Sequence, residues 1–191
     1  MFNSICDRIF SSKVLGENME AERREEYAYG MNLFLNSMFN IATLVVIGLL
    51  TGMLYQCVVF CIIYKTIREY TGGYHCKTAG RCYVASCITY LVLLGIIKFM
   101  PMGAHEMVAG GLISTIVIWF ISPVEAENKP LEEIEKQVFR KRARRNVVII
   151  FIVCVLCLFI SVDTAKVIVI STEAAAAFAV LGKMLSTANA E

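Results

Sequence analysis

One short stretch of the sequence concentrates the residue types that carry out covalent chemistry. Residues 68–86, REYTGGYHCKTAGRCYVAS, contain one of the chain's two histidines, His75, and two of its cysteines, Cys76 and Cys82. A thiol and an imidazole within hydrogen-bond reach form a nucleophile and its general base, the pair that acyl transfer requires. Long apolar segments flank the stretch on both sides, so these polar groups are candidates for a functional site.

The distance between His75 and Cys82 depends on where the following helix begins. In one continuous helix they would share a face but lie about 10 Å apart along the axis, too far to share a proton. The Gly72–Gly73 pair instead favours a loop, and Thr78 is a suitable N-cap for a helix that starts near Ala79. We therefore expect His75 to fold back over the first helical turn and approach the Cys82 sulfur.

The same arrangement would activate the thiol. A cysteine in the first turn of a helix lies at the positive end of the helix dipole, and Lys77 and Arg81 add positive charge, so its pKa falls. The free N–H groups of that turn can also stabilise an oxyanion. Cys76 is a second candidate nucleophile, ranked below Cys82. A zinc site at His75, Cys76 and Cys82 lacks a fourth ligand at suitable spacing, and roles in packing or interfacial anchoring stay open.

The composition is that of a membrane protein. The 191 residues are 58% hydrophobic and 18% charged, whereas soluble domains are about half apolar. We expect a single domain over residues 1–191, without a cleavable signal peptide, because no basic n-region precedes an uninterrupted apolar core. Within the amphipathic cytoplasmic N-terminal segment, residues 1–27, a short helix is predicted, which lies at the membrane surface or packs on the cytoplasmic end of the bundle. Its apolar residues recur at helical spacing: Phe2, Ile5, Ile9, Phe10 and Val14.

Six apolar segments predict six transmembrane helices in an all-α fold. Their approximate bounds are residues 31–50, 52–67, 81–100, 104–122, 146–162 and 164–183. Gly52 permits a tight turn between the first two segments, and Pro101 breaks the chain between the third and the fourth. Asp163 and Thr164 are suited to cap the last helix. That helix is weakly apolar and contains Glu173, which makes it the least secure span.

Lysine and arginine alternate between successive connections of this arrangement. From the N-terminus onward the connections hold four, none, four, one, seven and one of these residues. The positive-inside rule then places both termini, the catalytic segment 68–82 and the charged loop 123–146 in the cytoplasm. In that loop the acidic residues come first and the basic residues last, which suits a surface helix. Its basic end would contact anionic lipid head groups or dock a peptide.

The motif formed by Arg68, Gly73, His75 and Cys82, in a membrane protein of this length, resembles the accessory gene regulator protein B (AgrB) family. The stretch SPVEAENKPL at 122–131 is also similar to the family's sequence after its fourth apolar segment, and the similarity covers nearly the whole chain. The resemblance implies that His75 and Cys82 are the catalytic pair, supported by Arg68 and Gly73. Cys76 is not part of the family's motif.

The resemblance implies a membrane cysteine endopeptidase of bacterial quorum sensing. Its substrate would be an AgrD-like propeptide with an amphipathic leader, a central autoinducer segment and an acidic C-terminal tail. Cys82 would cleave off the tail and form a thioester, from which a substrate Cys or Ser closes a thiolactone or lactone ring, while His75 transfers the proton. The resemblance further implies a homodimer in the plasma membrane and a reaction without a metal or nucleotide.

Two features are expected to receive the charged and apolar ends of such a substrate. The Phe2–Val14 helix would bind the leader, and five cations would dock the acidic tail: Lys77, Arg81, Arg142, Arg144 and Arg145. The alternative function is a non-enzymatic carrier that exports a small peptide. Carriers place polar groups inside several spans, whereas the main polar residues here fall in the first two: Asn32, Asn36, Asn40 and Gln56. The sequence therefore favours the enzyme.

Overall fold

The structure, a computed structural model, describes residues 21–73, 79–125 and 132–188. Within these ranges the chain forms six α-helices and no strand longer than an isolated bridge, which confirms the all-α fold. They are α1 (Ala21–Thr51), α2 (Leu54–Thr71), α3 (Ala79–Phe99), α4 (Ala104–Ile121), α5 (Glu133–Ile160) and α6 (Val162–Ala188). The predicted amphipathic helix at Phe2–Val14 lies outside the described residues.

Five of these helices are long and apolar enough to cross a membrane: α1, α3, α4, α5 and α6. The exception is α2, which has 18 residues and carries three charged side chains near its end, Lys65, Arg68 and Glu69. Among the described helices, the prediction of about six transmembrane spans is therefore supported for five. α2 packs among them, against α1, α5 and α6.

The predicted helix breaks occur at the expected residues. Gly52 separates α1 from α2 with a φ of 68°, a backbone conformation that glycine adopts at little cost. α3 ends at Phe99, before Pro101, and α4 begins after Gly103. The Gly103 N–H donates to Oε2 of Glu106 at 2.7 Å, so a side chain satisfies one of the free amide groups at the start of α4.

The start of α6 differs from the prediction. Ser161, rather than Asp163 or Thr164, is the residue that precedes the helix. Its Oγ accepts hydrogen bonds from the Thr164 N–H at 3.4 Å and from the Thr164 hydroxyl at 2.9 Å. A serine oxygen that accepts from the third helical residue is the usual N-cap arrangement, and Thr164 supplies donors to it instead of serving as the cap.

The helix predicted in the charged loop and the fifth apolar span form one helix. α5 runs without a break from Glu133 to Ile160, because neither glycine nor proline interrupts the sequence between them. The Glu132 N–H donates to Oε2 of Glu135 at 3.1 Å, which fixes the start of the helix. As a result, the basic residues of the loop are held rigidly on the membrane-spanning helix.

The last helix, predicted as the least secure span, is the centre of the bundle. α6 packs against α2, α4 and α5, and 61% of its apolar window is buried, compared with 11–28% for the other spanning helices. The buried alanines of α6, such as Ala175 and Ala179, let neighbouring helices approach closely. The Glu173 carboxylate lies against Gly110 of α4, where a Cβ would collide with it. The low hydropathy of α6 thus reflects contact with protein rather than lipid.

The connections gather at two opposite ends of the bundle. The turns between α1 and α2, α3 and α4, and α5 and α6 meet around a cavity of about 340 Å³. The other end, called the basic end here, contains the end of α2, the start of α3, the end of α4 and the first half of α5. Its arginines with described side chains are Arg68, Arg81, Arg140, Arg142, Arg144 and Arg145. The predicted site residues of the described ranges all lie at this end.

Candidate active site

The last turn of α2 holds Arg68 beneath the glycine pair. α2 ends at Thr71, and Gly72 and Gly73 follow with φ values of 71° and 126°, which L side chains rarely adopt. Nη1 of Arg68 donates to the Gly72 carbonyl oxygen at 2.7 Å. A Cβ at Gly73 would collide with the Arg68 guanidinium and would lie 2.9 Å from the Phe178 carbonyl oxygen. Only glycine fits this position.

Two aromatic rings from different helices enclose the Arg68 guanidinium. Its Cζ lies 5.9 Å from the ring centroid of Tyr64 on α2 and 5.7 Å from that of Phe178 on α6. Tyr64 and Phe178 contact each other edge to face, with centroids 6.4 Å apart. Tyr64 also stacks on Phe60, which contacts Tyr90 of α3. The position of Arg68 is therefore fixed by the loop carbonyl and by rings from α2 and α6.

The glycine pair is also tied to the segment that follows α4. The Val124 N–H donates to the Thr71 carbonyl oxygen at 2.8 Å, and Gly72 and Val124 form an isolated parallel β-bridge. Thr71 and Val124 are both buried, and a Cβ at Gly72 would collide with the Val124 carbonyl oxygen. The SPVE stretch at 122–125, which carried part of the family resemblance, thus packs directly against the start of the predicted catalytic segment.

Cys82 lies where the sequence predicted it, in the first turn of a helix. α3 begins at Ala79, so Cys82 is its fourth residue, and the side chain is partly buried. The Tyr64 and Tyr90 side chains lie within electrostatic range of the Cys82 thiol. Because Tyr64 also packs against Arg68, one aromatic cluster connects the anchor of the glycine loop with the predicted nucleophile.

The segment between the two anchors, residues 74–78, lies outside the described residues. It contains His75, Cys76, Lys77 and Thr78, so the distance between His75 and Cys82 stays a prediction. Within the described ranges, no group of three or more His, Cys, Asp or Glu side chains could hold a metal ion. The structure fixes both ends of the segment, at Gly73 and at the start of α3.

The predicted tail-docking arginines of α5 point to two different sides of the helix. Cζ of Arg142 lies 5.4 Å from the ring centroid of Tyr70, which also contacts Phe139, so Arg142 faces α2. Cζ of Arg144 lies 4.9 Å from the ring centroid of Trp119 on α4, and its Nε donates to the Trp119 carbonyl oxygen at 3.1 Å. Residues two positions apart project about 200° apart on an α-helix.

The two remaining docking candidates in the described ranges are Arg81 and Arg145. Arg81 is exposed in the first turn of α3, next to Cys82. Arg145 is exposed on α5 and lines the same cleft as Arg144. By their positions in the fold, Arg81 and Arg142 belong to the side of the catalytic segment, whereas Arg144 and Arg145 belong to the side of α4.

Sequence reasoning missed several residues that build this site. Tyr64 precedes Arg68 by four residues, a helical spacing that places the two side chains on one face, and this signal was available in the sequence. Phe178 and Val124 gave no such signal, because they meet the glycine loop only through tertiary packing. Trp119 was likewise missed as the partner of Arg144.

Comparison with known proteins decides the family. The model of the family described as Accessory gene regulator B (AgrB) matches residues 3–184. The chain belongs to this family. The AgrB family takes part in accessory gene regulation and quorum sensing. Membership also implies an AgrD-type peptide partner and association with a membrane.

Individual relatives of this AgrB-family chain are distant in sequence. An AgrB-like protein of Clostridium perfringens is 26% identical over 155 residues, which cover 76% of this chain and 72% of that protein. Accessory gene regulator protein B of Staphylococcus carnosus is 25% identical over 131 residues, 66% of this chain and 63% of the relative. Protein FsrB of Enterococcus faecalis is 22% identical over 143 residues, which cover 73% of this chain and 57% of FsrB. No solved structure matches the chain.

Proposed function

We propose that this AgrB-family protein is a membrane cysteine endopeptidase that removes the C-terminal tail of an AgrD-like propeptide. One observation carries the proposal: at one end of the His75 segment Arg68 donates to the Gly72 carbonyl oxygen and fills the space beside Gly73, and at the other end Cys82 lies in the first turn of α3, within electrostatic range of Tyr64. Two peptide units span at most about 7.6 Å between α-carbons. Fixing Gly73 therefore limits how far His75 can lie from the end of α2 and from Arg68.

The first step is acyl transfer to the enzyme. His75 accepts the proton of the Cys82 thiol, and the sulfur attacks the carbonyl carbon that joins the central segment of the substrate to its tail. The free N–H groups in the first turn of α3 are suitable donors for the developing oxyanion. The carbon–nitrogen bond breaks, and His75 returns the proton to the departing amine. The tail leaves with a new N-terminus, and the rest of the peptide stays on Cys82 as a thioester.

The second step is ring closure. A cysteine thiol or serine hydroxyl within the bound peptide attacks the thioester carbonyl, the bond to the Cys82 sulfur breaks, and the attacking group's proton passes to the enzyme. The product is a cyclic thiolactone or lactone, and Cys82 is regenerated. Exchange of one thioester for another keeps the acyl group activated, so the step needs no nucleotide.

The arrangement in the membrane and the binding of the substrate belong to the same proposal. The basic end faces the cytoplasm, since lysine and arginine concentrate in cytoplasmic connections. The acidic tail docks near Arg81, Arg142 and Lys77, the candidates on or beside the catalytic segment, and the leader packs against the Phe2–Val14 helix. The protein acts as a homodimer, and the exposed apolar faces of α1 and α3 offer surface for a second copy as well as for lipid.

The alternative, a carrier that exports a peptide, receives less support from the described helices. Asn36 and Asn40 of α1 donate their side-chain amides to carbonyl oxygens one turn earlier, those of Asn32 and Asn36, at 2.8 Å each. The amide nitrogens are thus engaged along their own helix, although the buried Asn40 Oδ1 has no hydrogen-bond partner among the described residues; a carrier uses intramembrane polar residues to line a path. The geometry at Arg68 and Cys82 favours the enzyme.

The proposal is tested with purified protein in liposomes and an AgrD-like propeptide, with products identified by mass. We expect Cys82→Ala to abolish tail release and Cys82→Ser to be nearly inactive, because a hydroxyl ionises far less readily than a thiol. Cys87→Ala, on the same helix, and Cys76→Ala should retain most of the activity. Cleavage by Cys82→Ala together with its loss in Cys76→Ala would reverse the assignment of the nucleophile.

A further inference from the structure

A cleft lies between the basic part of α5 and the end of α4. Its volume is about 560 Å³, within the range of roughly 300–1,000 Å³ that is usual for small-molecule sites. Trp119 of α4 forms one wall, and Arg144 of α5 fixes that wall through its contact with the indole ring and its hydrogen bond to the Trp119 carbonyl oxygen. The cleft is therefore a built feature that two helices hold together.

Three further cations, Arg140, Lys141 and Arg145, line this cleft. All three side chains are exposed, and within the described ranges none of them forms a salt bridge. The carboxylates of Glu125 and Glu133 pair with Lys136 instead. None of the described residues around the cleft is acidic. Cations that concentrate on one surface without opposing charge attract an anionic ligand.

The cleft changes from charged to apolar along α5. Beyond Arg145 its lining continues with Val148 and Ile149, and from Val147 to Ile160 the helix carries no charged residue. Ile149 is 50% exposed and Trp119 is 38% exposed, and tryptophan is enriched where a membrane meets water. An occupant that matches the whole cleft therefore needs an anionic head and an adjoining apolar chain.

We infer that this cleft binds one anionic phospholipid of the leaflet that the basic end faces. Arg140, Lys141 and Arg145 hold the phosphate, and an acyl chain lies along Val148 and Ile149. A free phosphate ion or an acidic peptide would satisfy the cations but would leave the apolar part of the cleft uncovered. The lipid satisfies both parts, and it adds a defined site to the general attraction of basic segments for anionic membranes.

The geometry also separates this lipid site from the predicted tail-docking surface. Arg144 and Arg145 were expected to bind the acidic tail together with Arg142. Arg142, however, contacts Tyr70 on the side of α5 that faces α2, whereas the cleft lies on the side that faces Trp119. The tail thus has Arg142 and Arg81 as partners, and the lipid has the cleft.

The chain offers a direct reporter, because Trp119 is its single tryptophan. The full-length protein is reconstituted in phosphatidylcholine vesicles, and Trp119 fluorescence is measured as brominated phosphatidylglycerol or brominated phosphatidylcholine is added. We expect half-quenching at a roughly tenfold lower mole fraction of the anionic lipid, since each nearby cation favours it. High salt should reduce this preference, because the head-group contacts are partly exposed to water. Equal quenching by both lipids in the unmodified protein would overturn the inference.

Two variants show where the lipid binds. Lys141→Gln combined with Arg145→Gln leaves Arg144 and Trp119 in place and keeps only Arg140 of the three phosphate ligands, so it should remove most of the preference for the anionic lipid. Arg142→Gln removes a cation that contacts Tyr70 and does not line the cleft, so it should keep the preference. An undiminished preference in the double variant, or an acidic-tailed propeptide that displaces the brominated anionic lipid from Trp119, would contradict the proposed site and assign the cleft to another ligand.

Discussion

Arg68 shows how a single residue can join three parts of this protein. Its guanidinium donates to the Gly72 carbonyl oxygen and lies against the rings of Tyr64 and Phe178. Lysine keeps the charge but has neither the planar surface nor the fork of donors. We expect Arg68→Lys to lower kcat for tail cleavage roughly tenfold to a hundredfold, the equivalent of a charge-assisted hydrogen bond of about 1.5–3 kcal/mol. KM should stay nearly constant, because Arg68 positions the loop and does not hold the substrate.

Steady-state kinetics in liposomes measures this effect, and a neighbouring residue provides the control. Lys65→Gln removes a cation about one helical turn before Arg68, and that lysine donates to the Ser37 hydroxyl of α1 at 3.1 Å rather than to the glycine loop. The control should therefore leave kcat nearly unchanged. A large increase in KM with constant kcat in Arg68→Lys would show that the guanidinium binds the substrate, which contradicts the positioning role.

At the scale of the element, the turn after α2 depends on glycine. Gly73→Ala places a Cβ where the Arg68 guanidinium lies and forces a side chain into a φ of 126°, a strain of about 1–3 kcal/mol. We expect Gly73→Ala to lose most of its cleavage activity. Gly80→Ala is the matched control, because Gly80 lies in the first turn of α3 and a Cβ there meets nothing within 4 Å.

Both glycine variants are compared by cleavage rate and by thermal unfolding in detergent. Gly80→Ala should keep its activity and, by its better helix propensity, should be no less stable than the unmodified protein. A fully active Gly73→Ala would show that the contact with Arg68 is not required for catalysis. An inactive Gly80→Ala would mean that the start of α3 requires glycine for a different reason, such as close approach of the substrate.

The basic part of α5 gives a prediction about the acidic tail of the substrate. Arg142→Gln should raise the apparent KM for an acidic-tailed propeptide by no more than about fivefold, because one exposed charge pair contributes at most about 1 kcal/mol. The salt dependence of KM should also become weaker. Kinetics with a neutral-tailed propeptide serve as the control and should change little. An equal loss on both substrates would indicate that Arg142 supports the fold through Tyr70 rather than the substrate.

The order of the helices could be predicted, but their relative importance could not. Gly52, Pro101 and Gly103 gave the turns correctly, since they act on the local backbone. The central role of α6 could not be predicted from its composition. Hydropathy measures preference for lipid, whereas the alanines and Glu173 of α6 face other helices. The apolar run of α2 continues into the charged residues Lys65, Arg68 and Glu69, so its composition supports a transmembrane span less clearly than that of the other helices.

For the whole molecule, the distribution of basic residues predicts the orientation in the membrane. Lys98 lies in the last turn of α3, and Lys77 precedes the start of α3 in the sequence; each is replaced by cysteine in a protein that lacks the native cysteines. In intact cells we expect an impermeant maleimide to label Lys98→Cys and to reach Lys77→Cys only after permeabilisation. Labelling of Lys77→Cys from outside intact cells would reverse the orientation and place the proposed active site on the other side of the membrane.

The site as a whole was partly predictable. The start of α3 near Ala79 and the loop at Gly72–Gly73 followed from local sequence, and they put Cys82 in the first helical turn as expected. The contacts of Arg68 with Phe178 and of Gly72 with Val124 join segments that are far apart in the chain. No periodicity or spacing indicates such contacts, because they arise only when the helices pack.

The most direct test of the account is to trap the thioester on Cys82. The propeptide is made with alanine in place of its ring-closing cysteine or serine, so that the second step cannot occur, and the reaction is quenched with acid. Intact-protein mass should increase by the mass of the propeptide without its tail, and digestion should locate this group on the peptide that contains Cys82. Hydroxylamine should remove it, and Cys82→Ala should not form it. Tail release without any acyl group on Cys82, or an acyl group on Cys76 instead, would contradict the proposed mechanism.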